Sequence, residues 1–120
     1  MFEVKVRDHI ASAHVLKGYD GPCAQLHGHT WKIEVTVVGQ QVDDIGLVID
    51  FKILKKKLKD IIMPLDHVNL NEHPAFAKDN PSTENLARYI YRQLKDQCLP
   101  LTLKQVEVFE SDTASIVYYE

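Results

Sequence analysis

His27 and His29 flank a single glycine in the run Cys23-Ala-Gln-Leu-His27-Gly-His29. On an extended strand, side chains two residues apart project from the same face. Both imidazoles can then reach one ion at about 2.0–2.1 Å. His14 is a third candidate, because it closes an earlier alternating segment on that segment's apolar parity. If the two segments pair as antiparallel neighbours, three imidazoles converge from adjacent strand ends. Three histidines with no fourth protein ligand are the pattern of a catalytic zinc site that keeps a position open. The unreactive alternative is a pair of ordinary strand histidines around a tight glycine.

Five other residues carry candidate acid–base or binding chemistry. Cys23 stands four residues before His27 in a loop containing Gly18, Gly21 and Pro22. A thiol beside a cation loses part of its proton and becomes a usable base or nucleophile. Cys98 ends a helical stripe, where a free cysteine acts as a small hydrophobe. Asp66 and His67 are adjacent at a helix exit. A carboxylate beside an imidazole can hold the ring's tautomer and raise its basicity, although a capping Asp and a surface His read the same way. Glu110 shares the parity of Val106 and Val108 and so faces inward. A carboxylate there is costly unless paired, either with a structural Arg or with a ligand offering two adjacent N–H donors. Glu84 falls in the first turn of a helix, where any carboxylate complements the dipole.

The elements that must position these groups follow from periodicity. Residues 2–14 alternate, with Phe2, Val4, Val6, Ile10 and His14 on one parity and Glu3, Lys5 and Arg7 on the other, which predicts a half-buried strand. Residues 27–39 alternate again, with His27, His29, Trp31, Ile33, Val35 and Val37 on one face. Asp50 is a helix N-cap candidate, and Phe51, Leu54, Leu58, Ile61 and Ile62 follow at helical spacing up to Pro64. A loop runs to Pro81. Ser82 or Thr83 then caps a second helix carrying Leu86, Ile90 and Leu94. Two strands follow, at about 104–110 and 114–119. The order strand, strand, helix, helix, strand, strand predicts an α+β fold, a four-stranded antiparallel sheet covered on one face by two helices.

Bulk properties exclude other classes. A chain of 120 residues with 45% hydrophobic residues fits one domain, 1–120, that buries enough surface to fold without a metal staple. A metal here would therefore serve chemistry. The net charge of −3 argues against general nucleic-acid binding. The run Lys55-Lys56-Lys57 lies inside a helical pattern and reads as a solvated face. No apolar stretch approaches the ~20 residues of a membrane span. The start, Met1-Phe2-Glu3-Val4-Lys5, begins a strand rather than a signal peptide. Cys23 and Cys98 are then expected as free thiols in a reducing cytoplasm.

Taken together, His14, the Cys23–His29 run, Gly46-Leu-Val-Ile-Asp50-Phe51, Leu65-Asp66-His67-Val-Asn69-Leu-Asn71, Asn80-Pro81-Ser-Thr-Glu84-Asn85 and Glu110 resemble the 6-pyruvoyltetrahydropterin synthase / 6-carboxytetrahydropterin synthase family. The resemblance runs through essentially the whole chain in the family's order. It implies the tunnelling fold, in which the sheets of several subunits join into a barrel as a trimer or a dimer of trimers, with active sites between subunits. It implies Zn2+ held by His14, His27 and His29. It implies Cys23 as the catalytic cysteine, Asp66 and His67 as its acid–base partners reaching in from an adjacent subunit, and Glu110 as the carboxylate that grips the pterin ring. Glu84 matches a second family glutamate. The substrate implied is a small pterin triphosphate, with no nucleic-acid or membrane partner.

The three residues between Cys23 and His27 are similar to the compact spacing of the queuosine-pathway branch, which forms 6-carboxytetrahydropterin. The alternatives are the pyruvoyl-forming branch, which eliminates triphosphate without breaking a carbon–carbon bond, a non-catalytic zinc- or pterin-binding protein on the same fold, and an aldolase-like pterin enzyme that needs no metal.

Overall fold

The computed structural model describes residues 1–120. Its sheet holds strands β1 (Phe2–His14), β2 (His27–Gly39), β3 (Thr102–Ser111) and β4 (Ala114–Tyr118), and two helices, α1 (Phe51–Ile62) and α2 (Thr83–Leu94), lie between β2 and β3 in the chain. The strands are antiparallel in the order β1-β2-β3-β4. The order and type of every element match the expectation from periodicity. The third strand is longer than the alternation alone predicts, beginning at Thr102 rather than about 104.

Each helix begins where its capping residue dictates. The Asp50 side chain accepts from the Lys52 amide at 2.8 Å, and Ser82, rather than Thr83, caps α2 by accepting from the Asn85 amide at 3.1 Å. Pro64 follows the end of α1 inside a short 3-10 turn, Met63–Leu65. The loop expected between Pro64 and Pro81 holds two further 3-10 turns, Leu70–Glu72 and Pro74–Phe76.

Register sets the core. Val6 pairs with Val35 and Ile10 with Trp31, while Val35 and Ile33 pair with Val106 and Val108. These side chains share the face that receives Leu54, Leu58 and Ile62 from α1 and Leu86, Ile90 and Leu94 from α2. Each fully buried aliphatic side chain contributes on the order of 1.5–3 kcal/mol. A one-residue slip of β2 would turn this whole set, and both of its histidines, to the opposite face.

The face away from the helices is laced by charge. Glu34 is only 4% exposed. It accepts from Arg7 Nε at 2.6 Å and lies 3.4 Å from Lys5 Nζ. Burial alone would raise its pKa, but the Arg7 hydrogen bond and the Lys5 charge outweigh burial and hold it below the ordinary carboxylate value.

Residues 66–69 run along the free edge of β1. The Ala11 amide donates to Asp66 Oδ1 at 2.8 Å, the His67 amide donates to the Ala11 carbonyl at 2.7 Å, and the Ala13 amide donates to the Val68 carbonyl at 2.9 Å. Ser12 Oγ ties the same edge to the Leu65 carbonyl. The remainder of that edge, towards Phe2, and the outer edge of β4 pair with no strand of this chain.

Candidate metal centre and adjoining pocket

The β1–β2 register places His14 directly opposite His27. His29 stands two residues along β2 on the same face. The three rings pack edge to face, with centroid separations of 4.5, 5.1 and 4.8 Å. Trp31 lies beside them, 4.9 Å from His14 and 5.1 Å from His29, and its Nε1 donates to Thr83 Oγ1 at 3.3 Å. The indole on β2 is thereby fastened to the first residue of α2.

Hydrogen bonds fix which nitrogen of two rings is free. His14 Nδ1 bonds the Pro81 carbonyl at 2.7 Å, and His27 Nδ1 bonds the Gln25 carbonyl at 2.7 Å. A carbonyl oxygen only accepts, so each Nδ1 carries a proton and each Nε2 presents a lone pair. This is the orienting contact by which metal-ligating imidazoles are held. Nε2 of His14, His27 and His29 are all buried without a hydrogen-bond partner, and the ligand nitrogens lie within 4.8 Å of one another. Burial lowers the pKa of His14 and His29, against the opposing pull of nearby Glu110. Three buried, unpartnered imidazole Nε2 atoms that converge on one point suit a borderline-soft dication, so this donor set fits Zn2+.

Glu110, at the end of β3, projects to the same place. Its Oε1 is 3.3 Å from His29 Nε2 and 3.9 Å from His14 Nε2. It also lines a pocket of about 340 Å3 together with Cys23, Glu84, Tyr19, Ser82 and Thr83. Cys23 is partly exposed, on the 3-10 turn Pro22–Ala24. Cys98 is buried, and burial pushes its thiol pKa up. It is inert where Cys23 is accessible.

Asp66 and His67 form a pair, with Nδ1 of the imidazole 2.9 Å from Asp66 Oδ2. The Ala11 amide, then the His67 ring, hold the Asp66 carboxyl below its ordinary value despite partial desolvation. His67 has a positive φ of 56° and its side chain is 80% exposed. Within one chain the pair does not enter the Cys23 pocket. His67 lines a separate, open recess with Ala11–Ala13, Val68, Asn69 and His29. The structure therefore gathers Cys23, Glu84 and Glu110 on one side of the histidine cluster and places His67 on another.

A model of the family described as 6-pyruvoyl tetrahydropterin synthase matches residues 3–120. The chain belongs to the 6-pyruvoyl tetrahydropterin synthase family. It is 35% identical, over 98% of its length and 84% of the relative's, to the 6-carboxy-5,6,7,8-tetrahydropterin synthase of Bacillus subtilis. It is 42% identical, over 77% of its length and 65% of the relative's, to the 6-pyruvoyl tetrahydrobiopterin synthase of Homo sapiens. The solved Caenorhabditis elegans 6-pyruvoyl tetrahydropterin synthase superposes with a TM-score of 0.84 at 25% identity, covering 99% of this chain and 95% of the other. The fold of this chain is thus the tunnelling fold of the family.

Sequence reasoning missed the Pro81 and Gln25 carbonyls that orient two of the rings, because a backbone acceptor leaves no mark in residue type. It also missed Ser82 and Thr83 as pocket-lining residues. Their only sequence signal is their place beside Glu84 at a helix start.

Proposed function

We propose that this chain is a zinc-dependent 6-carboxy-5,6,7,8-tetrahydropterin synthase. It converts 7,8-dihydroneopterin triphosphate and water to 6-carboxytetrahydropterin, acetaldehyde and triphosphate in queuosine (7-deazaguanine) biosynthesis. The observation that carries the reading is the convergence of three unpartnered Nε2 atoms beside a pocket lined by one accessible thiol and the Glu110 carboxylate. The full-length similarity to the Bacillus subtilis enzyme and the compact Cys23–His27 spacing support the carboxy-forming branch.

His14, His27 and His29 would hold the Zn2+. A Zn2+ there would supply Lewis acidity toward the substrate's side-chain oxygens and so make the neighbouring C–H bonds more acidic. The remaining steps belong to the protein. Glu110 accepts two N–H bonds from the amino-pyrimidinone edge and fixes the ring so that its side chain lies over the histidines. Glu84 lines the same pocket as a second carboxylate. Cys23, as thiolate, removes a proton from the substrate side chain, and the Asp66–His67 pair returns or relays one. Asp66 accepts from His67 Nδ1, which leaves Nε2 to exchange the proton.

His67 serves the site of an adjacent subunit. The unpaired edges of β1 and β4 join successive sheets into a barrel, as a trimer or a dimer of trimers, which also removes two exposed edges that would otherwise invite aggregation. The accessible Cys23 thiol belongs to a reducing, cytoplasmic setting.

The test is product analysis with the zinc-loaded protein and 7,8-dihydroneopterin triphosphate. Acetaldehyde and 6-carboxytetrahydropterin are expected together, and both are lost in Cys23→Ala. A pyruvoyl product with triphosphate but no acetaldehyde moves the chain to the branch of its human relative. Binding of zinc and pterin without turnover removes the enzymatic reading.

A further inference from the structure

Beyond residues 66–69 the outer edge of β1 is continued by side chains. The Val15 amide donates to Asn71 Oδ1 at 2.8 Å, and Asn71 Nδ2 donates to the Val15 carbonyl at 3.0 Å. Two residues on, the Lys17 amide donates to Asn80 Oδ1 at 2.9 Å, and Asn80 Nδ2 donates to the Lys17 carbonyl at 2.8 Å. Each primary amide supplies the donor–acceptor pair that a neighbouring strand would have supplied. Between these clamps, the Leu16 amide points the other way and donates to the Cys23 carbonyl at 2.9 Å. The second clamp is itself anchored. Asn85 Nδ2 donates to the Asn80 carbonyl at 2.7 Å, and the Asn85 amide is held by Ser82 Oγ at the cap of α2.

The geometry points to Asn71 and Asn80 as positioning residues that set Cys23 over the histidine cluster. The turn carrying Cys23 buries none of its residues, and it follows Gly18 and Gly21, both at positive φ. It has no apolar anchor of its own, so its freedom must be removed by polar contacts. The Leu16–Cys23 bond does this only if Leu16 is itself fixed, and Val15 and Lys17 on either side of it are what the two asparagines grip. Both functions of the amide are needed. An aspartate keeps the acceptor, loses the donor and sets a negative charge against a carbonyl oxygen. The inference rests on the proposed role of Cys23, and Asn71 and Asn80 themselves are given no contact with substrate.

The experiment compares wild type with Asn71→Ala, Asn80→Ala and Asn80→Asp. It reads kcat, KM, zinc content and the alkylation rate of Cys23, followed on its own peptide by mass spectrometry. A misplacement of about 1 Å costs on the order of 100-fold. The expected result is therefore a fall in kcat of about 10- to 100-fold with KM and zinc content near wild type, a changed alkylation rate, and no rescue by Asn80→Asp. Values of kcat and alkylation rate within about twofold of wild type would overturn the inference. So would zinc loss that tracks the loss of kcat, since the clamps would then act through His14. If wild type shows no turnover, the proposed function fails on its own, and alkylation still decides. If the variants do not fold, hydrogen exchange in wild type decides. The Val15 and Lys17 amides should exchange as slowly as that of Ala13, and exchange at the rate of an open loop would contradict the clamps.

Discussion

Glu110 Oε1 stands 3.3 Å from Nε2 of His29, so the carboxylate that lines the pocket touches the rim of the candidate metal centre. Burial lowers the His29 pKa against the pull of that neighbour. Glu110 also lines the pocket, where it is placed to grip a ligand. Glu110→Ala should lower kcat/KM by about 10- to 100-fold, the loss of hydrogen bonds to one charged group. Zinc content should stay unchanged. Loss of zinc in that variant, by elemental analysis, would make Glu110 a metal ligand instead.

Asp66 and His67 separate stability from chemistry. His67 is 80% exposed on its side chain and Asp66 holds the Ala11 amide. His67→Ala should lower kcat by about 10²–10⁴-fold with an unchanged melting temperature. Asp66→Ala should do the same and also destabilise the fold by about 1–3 kcal/mol. Equal melting temperatures for the two variants would contradict the structural role of Asp66.

Acid sensitivity is expected at the contact between α2 and the last residue. The Tyr118 hydroxyl, then Arg92 and Lys95, hold the Glu120 carboxyl at about 2, below its ordinary 4.5. The folded state thus favours the ionised form. Its stabilisation is complete above pH 4.5 and is lost as pH falls towards about 2. The urea midpoint of wild type should fall across that window more steeply than that of Glu120→Gln, and identical slopes would refute the assignment.

The helix–sheet core predicts a large effect from a single truncation. Leu58 is fully buried between α1 and the sheet. Leu58→Ala should cost about 2–5 kcal/mol by chemical denaturation, whereas Phe51→Ala, at a position 58% exposed, should cost much less.

What the sequence disclosed follows the range of the interaction. The bounds of β1 and β2, the Asp50 cap, the α2 stripe and the Leu54, Leu58 and Ile62 stripe of α1 are local patterns found in the structure, whereas Phe51, expected on that stripe, is exposed because it opens the helix beyond the sheet-facing turn. His14, His27 and His29 were legible because two strands of matching parity leave one register that pairs their ends. Non-local polar contacts were not legible. Glu34 sits on the polar parity of β2 yet is buried under Arg7 and Lys5. The stretch up to Pro81 read as loop composition, although Asn71 and Asn80 do the work of a strand edge. Asp66-His67 reads from residue type first as a cap and a surface histidine, and the exposure of His67 in one chain agrees with that reading.

The central claim is that three unpartnered imidazole nitrogens form one zinc site. Equilibrium dialysis against Zn2+, with bound metal measured in wild type and in His14→Ala, His27→Ala and His29→Ala, tests it most directly. The account predicts about one ion per wild-type chain and affinity weakened by at least ~100-fold in each variant, since each removes one of three protein ligands. Wild type that binds no zinc, or variants that bind it as tightly as wild type, would contradict the account.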